Sequence, residues 1–152
     1  MEYKPEELKR VQEIEVEILQ EIIRVCEEYK LQYWVAYGTL IGTLRHNGFI
    51  PWDDDIDIGM MREDYEKFIE VAPSALKKGY TLQHFKTDPK TPTYHAKVRK
   101  DGTQFVEWYT CICQVKIQSK DHRKFSHLKN NYCAGIQRFL FVIYVTGSIR
   151  HP

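Results

Sequence analysis

The N-terminal segment alternates apolar and charged positions with the period of an α-helix. Pro5 suits a first helical turn, where its missing N–H costs nothing, and Glu6 and Glu7 are favourable near a helix N-terminus. We therefore predict an amphipathic helix that ends near Tyr29 or Lys30 and serves mainly for packing. Its apolar face carries Leu8, Val11, Ile14, Ile18, Leu19, Ile22, Val25 and Tyr29.

Two further helices are predicted, one on each side of a cluster of aspartates. A short helix is expected over 40–45 with Thr39 as its N-cap, because threonine side chains accept hydrogen bonds from free helical N–H groups. A longer helix is expected over 62–72, where Pro73 interrupts it. A last short helix is predicted from residue 74 to 78, and Gly79 ends it.

Strand-like runs alternate with these helices. An Asp101-Gly102 pair predicts a hairpin turn between the last two strands. The mixture of elements predicts an α/β fold, a small mixed sheet flanked by helices. The predicted strands are 33–36, 80–85, 93–99 and 103–108.

Composition changes this picture little. The chain has 152 residues, which suits one domain, and 43% of them are hydrophobic against 28% charged, as in globular proteins. A net charge of +1 gives no overall attraction to nucleic acid. The charged N-terminus does not resemble a signal peptide, and the longest apolar run, 139–145, is too short to span a membrane. A cytoplasmic location, with peripheral attachment at an inner membrane as a variant, is the expectation, and the four cysteines are expected to be reduced thiols.

The densest candidate chemistry lies between Asp53 and Ile58. If this segment is a strand, Asp55 and Asp57 share one face while Ile56 and Ile58 bury the other. Carboxylates side by side repel each other unless a cation lies between them. Mg²⁺ accepts oxygen ligands and often binds one or two protein carboxylates together with substrate phosphates. We therefore predict a magnesium site at Asp55 and Asp57, with Asp53 assisting.

A glycine turn precedes this acidic segment. Gly38 and Thr39 lie where a strand leads into a helix, and free backbone N–H groups at such a position suit a phosphate. The motif thus combines a candidate phosphate cradle with a candidate metal site.

The run Gly-Thr-Leu-Ile-Gly-Thr-Leu-Arg-His-Asn-Gly-Phe-Ile-Pro-Trp-Asp-Asp-Asp-Ile-Asp-Ile-Gly-Met at 38–60 closely resembles the core motif of the LicD family. Weaker similarity extends to about Glu107. The resemblance implies a nucleotidyltransferase-like core, and fukutin-type sugar-phosphate transferases are relatives. The sequence departs from the family pattern at Tyr37, where a second glycine is frequent.

The resemblance also implies a function. It indicates metal-dependent transfer of a phosphocholine-like group from a CDP-choline-like donor to a cell-surface glycan or its lipid-linked precursor. Enzymes of this fold generally use a third carboxylate from a later strand, and Glu107 is the candidate here. A nucleotidyltransferase acting on a small molecule, or an inactive nucleotide-binding module, remain alternatives.

Three basic residues are candidates for binding the donor phosphates. Lys97 and Arg99 share one face of their predicted strand, where they either meet phosphate or are simply solvated. Arg45 either contacts phosphate or pairs with an aspartate. Trp52 either floors the pocket or packs in the core, and the core role is the prediction.

The family pattern is not recognisable beyond Trp108. We predict a LicD-like domain over 1–108 and a divergent tail over 109–152, produced by truncation or a shifted coding frame. The alternative is a genuine short variant, which requires the tail to fold onto the core.

Overall fold

The computed structural model describes residues 4–88, 95–103 and, for the backbone alone, 141–146. Three helices and five strands lie in these ranges, and they confirm the predicted α/β class with a small mixed sheet. In chain order they are α1 (Pro5–Tyr29), β1 (Tyr33–Val35), α2 (Tyr37–His46), β2 (Ile56–Met60), α3 (Arg62–Ala75), β3 (Tyr80–Gln83), β4 (Ala96–Lys100) and β5 (Phe141–Thr146).

Helix α1 has the bounds that its sequence pattern predicts. Its N-terminus is closed by a capping box, in which the Lys4 N–H donates to the Glu7 carboxylate at 3.1 Å. At its other end Lys30 adopts a left-handed conformation (φ 56°), and the Leu31 N–H donates to the Cys26 carbonyl at 2.8 Å. The apolar stripe between these caps is buried against the sheet.

Helix α3 is longer than predicted. Pro73 does not interrupt it, and no new helix starts at Ser74, since α3 runs to Ala75 and residues 76–79 lead directly to β3. The reason is the position of Pro73 in the last turn. Only one helical N–H is lost there, and the Leu76 N–H still bonds to the Ala72 carbonyl at 3.0 Å.

The sheet has the order β1-β2-β5-β4-β3. Neighbouring strands are antiparallel except β4 and β5, which are parallel. Strand β5, from the apolar run near the C-terminus, therefore lies at the centre of the sheet. The boundary at residue 108 stays a prediction, as does the origin of the tail. The returning strand predicted over 103–108 lies almost wholly outside the described residues.

The two faces of the sheet differ in character. One face carries Ile56, Ile58 and Met60 of β2 with Ala96 and Val98 of β4, all buried together with apolar side chains of α1 and α3. The opposite face carries Asp57 of β2, with Lys97 and Arg99 of β4. Burial of the apolar face thus fixes the direction in which the candidate functional side chains point. Within the described ranges, no helix has the length and apolar character required to cross a membrane.

Candidate functional site

The first turn of α2 is attached to the strand that carries Asp57. The Asp57 N–H donates to the Thr39 hydroxyl at 2.8 Å, and its carbonyl accepts from the Ala36 N–H at 2.9 Å. The prediction that Thr39 caps the helix is wrong, because α2 begins at Tyr37 and its N-cap is Ala36. The Thr39 side chain instead fixes the backbone of β2 where the acidic segment enters the sheet.

Asp53 is held in place by three different elements. A turn closed by its N–H bond to the Ile50 carbonyl (2.9 Å) precedes it, and Gln12 of α1 donates to its carbonyl at 2.9 Å. Its carboxylate lies against α2 so closely that a Cβ at Gly38 would come within 2.9 Å of Oδ2. Gly38 therefore makes room for a carboxylate, and its predicted role towards phosphate stays a prediction.

The acidic cluster comprises Asp53, Asp54, Asp55 and Asp57. Oxygen atoms of the first three can all lie within 4.8 Å of one another, an arrangement that is able to hold a metal ion. Asp54 was not among the metal ligands predicted from the sequence. In a regular strand its side chain would point away from those of Asp53 and Asp55. Strand β2 begins only at Ile56, so the alternation does not apply to the residues before it.

Burial and mutual repulsion shift the titration of these carboxyls. Burial, together with the charges of Asp57, Asp53 and Asp54, raises the pKa of Asp55 to about 7. Burial also raises the pKa of Asp57 to about 6, assisted by the charge of Asp53. The pKa of Asp53 is raised too, mainly by burial, although a hydrogen bond with the Asp55 side chain opposes this. Without a bound cation, burial and mutual repulsion therefore disfavour the ionised form of these carboxyls.

The surroundings of Asp57 indicate whether a cation fits the acidic cluster. Its side chain is 6% exposed, and the buried Oδ1 has no hydrogen-bond partner among the residues that the structure describes. A buried carboxylate oxygen without a partner is costly, and a hard cation would satisfy it. None of the ion pairs found among the described residues involves Asp53, Asp54, Asp55 or Asp57. Oxygen-only donors of this kind suit Mg²⁺ or Mn²⁺.

Lys97 lies in the same row of the sheet as Asp57. Asp57 is opposite Tyr144 of β5, and Tyr144 is opposite Lys97 of β4. Residues in register point to the same face, and two strand spacings separate their backbones by roughly 10 Å. Lys97 is 6% exposed, so it is not the solvated lysine of the alternative interpretation. Arg99 lies two residues further along this face and donates to the Gln83 side chain at 3.2 Å.

The structure describes three of the four remaining residues that the sequence analysis singled out. Arg45 is exposed in the last turn of α2, and within the described part of the chain it forms no ion pair with an aspartate. Trp52 is 77% exposed, so the predicted core role is wrong. Tyr37 has φ 45°, a left-handed conformation that suits glycine better. Glu107 lies outside the described residues.

Gln12 is the second residue that sequence reasoning missed. It lies on α1, 41 residues before Asp53, whose carbonyl it binds. No local pattern could have found it, because a polar residue on an amphipathic helix ordinarily faces solvent.

Comparison with known proteins gives consistent matches. The family described as "LicD/FKTN/FKRP, nucleotidyltransferase domain" matches residues 30–141. The chain is 48% identical over 76 residues to "Lipopolysaccharide cholinephosphotransferase LicD" of Haemophilus influenzae, which covers 50% of this chain and 29% of that protein. It is 35% identical over 114 residues to the uncharacterised protein RP689 of Rickettsia prowazekii, covering 73% of this chain and 42% of that protein.

A human relative, "Ribitol 5-phosphate transferase FKRP", is 42% identical over 43 residues, which is 28% of this chain and 9% of that protein. The chain thus spans less than half the length of these curated relatives. No solved structure matches. The family match includes the whole acidic cluster and extends beyond Trp108. The chain therefore belongs to the LicD/FKTN/FKRP family and carries its nucleotidyltransferase domain.

Proposed function

We propose that this domain transfers a phosphocholine-like group from a CDP-linked donor to the hydroxyl of a cell-surface glycan or its lipid-linked precursor. The names of its relatives support a phospho-alcohol transferase, since they act with phosphocholine or ribitol phosphate. The observation that carries the proposal is the buried Asp57 oxygen, which has no hydrogen-bond partner in the described part of the chain and lies beside three further carboxyls. No ion pair between described residues neutralises these carboxyls, and a metal-bound donor would supply positive charge.

Each part of the site has a proposed role. Asp55 and Asp57, with Asp53 assisting, hold a divalent metal, and Asp54 is a further candidate ligand. When bound, the metal neutralises charge on the donor phosphates and aligns the reacting groups.

The basic residues and the turn complete the proposed site. Lys97 and Arg99 lie on the same sheet face as Asp57, where their charges attract the donor diphosphate. Arg45, Gly38 and Thr39 approach the donor from α2. A cluster carboxylate accepts the proton of the acceptor hydroxyl, and Glu107 remains the candidate for the third acidic position that the family resemblance implies.

Calorimetric titration tests the donor and the metal together. CDP-choline is titrated into the full chain with and without Mg²⁺, and in parallel into an Asp55→Asn/Asp57→Asn double variant. Asparagine preserves the shape of aspartate but removes the charge that a metal requires. Asp101→Asn is the matched control, because Asp101 is an exposed aspartate on the β4 turn, away from the cluster. We expect magnesium-dependent binding in the wild type and the control, and none in the double variant.

Product analysis then separates the transferase from its alternatives. Release of cytidine monophosphate from CDP-choline, with the phosphocholine group recovered on the acceptor hydroxyl, identifies phosphocholine transfer. Release of pyrophosphate from a nucleoside triphosphate identifies a nucleotidyltransferase. Magnesium-dependent binding without turnover on any hydroxyl acceptor would favour an inactive nucleotide-binding module. A folded wild type that binds no CDP-linked donor would contradict the proposal.

A further inference from the structure

Gln12 connects helix α1 to the acidic segment that precedes β2. Its Nε2 donates to the Asp53 carbonyl at 2.9 Å, in a partly buried bond between residues 41 positions apart. Val11 and Ile14, which lie on the same turn of the helix as Gln12, are only 2% and 5% exposed. Because these apolar side chains fix α1 against the rest of the protein, the Gln12 amide reaches Asp53 from a rigid element.

The segment that Gln12 holds lies outside the hydrogen-bonded ladder of the sheet. Strand β2 and its pairing with β5 begin only at Ile56. In the described part of the chain, the backbone of Asp53 makes two hydrogen bonds: its N–H donates to the Ile50 carbonyl, and its carbonyl accepts from Gln12. Since a peptide group is planar, the second bond also sets the orientation of the peptide that joins Asp53 to Asp54.

This orientation matters for the binding of a metal ion. Oxygen atoms of Asp53, Asp54 and Asp55 lie within 4.8 Å of one another only while the backbone that carries them is held in place. Mg²⁺ requires oxygen ligands at about 2.0–2.1 Å in a nearly ideal octahedron, so small rotations of the backbone disturb the site. The Asp53 carboxylate is also confined by α2, since a Cβ at Gly38 would lie 2.9 Å from its Oδ2. Asp53 is thus fixed from α1 on its backbone and from α2 on its side chain.

We propose that Gln12 is a positioning residue for the metal site, which holds the Asp53 carboxylate within the acidic cluster by fixing the Asp53 carbonyl. This inference rests on the proposed function, in which the aspartates bind a divalent metal. Gln12 binds neither the metal nor the donor and acts only through Asp53. It lies before residues 30–141, over which the family matches, so the inference adds helix α1 to the functional site.

Binding of Mn²⁺ alone tests this role, because electron paramagnetic resonance measures free Mn²⁺ without any donor or turnover. Dissociation constants are measured for the wild type and for two variants that lack the donor, Gln12→Met with a side chain of similar length and Gln12→Ala with a strong helix former. Gln20→Met is the matched control, because Gln20 is an exposed glutamine about two turns further along the same helix. Urea unfolding measures the stability of each variant separately.

We expect both Gln12 variants to bind Mn²⁺ roughly tenfold more weakly than the wild type, as is usual when a group that orients a metal ligand is removed. Gln20→Met should bind Mn²⁺ like the wild type. In an Asp53→Asn background, which removes the carboxylate through which Gln12 acts, Gln12→Met should change the Mn²⁺ affinity by less than about twofold.

Three results would overturn the inference. Unchanged Mn²⁺ affinity in both Gln12 variants, with or without a loss of stability, would make Gln12 a packing residue and leave the proposed function intact. The same tenfold loss in the Asp53→Asn background would show that Gln12 does not act through the Asp53 carboxylate. A folded wild type that binds no Mn²⁺ would contradict both this inference and the metal site of the proposed function.

Discussion

Replacing Glu21 with glutamine should weaken the attachment of α1 to the end of α3. Glu21 is 4% exposed, and its carboxylate accepts from Arg24 Nη2 at 2.6 Å and from the Lys77 N–H at 2.8 Å. Arg24 also donates to the Ala75 carbonyl at 2.5 Å. The carboxylate thus joins the first helix to the segment that leads into β3.

The pKa of Glu21 sets the size of the effect. The hydrogen bond from Arg24, followed by those from Lys77, lowers the pKa from 4.5 to about 2, although burial opposes this shift. A difference of this size between the folded and unfolded pKa corresponds to about 3 kcal/mol of stability near neutral pH. Because the folded pKa is the lower one, this stabilisation is complete above about pH 4.5 and is lost as the pH falls towards 2.

The assay is urea unfolding of the wild type and Glu21→Gln at several pH values between 7 and 3.5. The difference in unfolding free energy between the two proteins should shrink by roughly 1.4 kcal/mol over this range, since only the wild type titrates at this position. Subtracting the two curves at each pH removes the opposite contribution of the aspartate cluster, which is common to both proteins.

Glu28→Gln is the matched control. Glu28 binds the same Arg24 guanidinium, through Nη1 at 2.7 Å, but it is 52% exposed. Exposed pairs of this kind contribute only about 0.5 kcal/mol, so the control should change stability little at any pH. A difference for Glu21→Gln that does not vary with pH, or that equals the difference for Glu28→Gln, would refute the reasoning.

Three further experiments test the packing of the chain. Gly42→Ala should cost about 1–3 kcal/mol in urea unfolding, because its Cβ would lie 2.4 Å from the Gly48 carbonyl oxygen; Gly48→Ala, with nothing within 4 Å, should be nearly neutral. Thr39→Val should cost about 1–3 kcal/mol by leaving the Asp57 N–H without its acceptor, and Thr39→Ser should restore it. Cys26 is buried and its pKa is raised to about 12 by burial, so peptide mapping after treatment with a thiol reagent should find it unmodified until urea unfolds the chain. Equal effects of the two glycine variants, equal effects of the two threonine variants, or modification of Cys26 in the native state would each contradict the described packing.

Periodicity along the chain was sufficient to predict the elements that depend on local interactions. The apolar stripe of α1 and its capping residues lie close together in sequence, so its bounds followed directly. The alternation of Ile56 and Ile58 with Asp57 likewise predicted which side of β2 packs in the apolar core. Where the local rule failed, at Pro73, the cause was the position of the proline in the last turn of α3.

By itself, the sequence determined the class of the fold, the helix α1 and the acidic motif, because these depend on the pattern of neighbouring residues. Only the tertiary structure decided which distant groups meet. Pairing of β5 between β2 and β4 places Lys97 in the row of Asp57, and the approach of α1 brings Gln12 to Asp53. Strand order and helix docking depend on contacts between segments that are far apart in the sequence. Such contacts produce no recognisable pattern of apolar and polar residues within either segment.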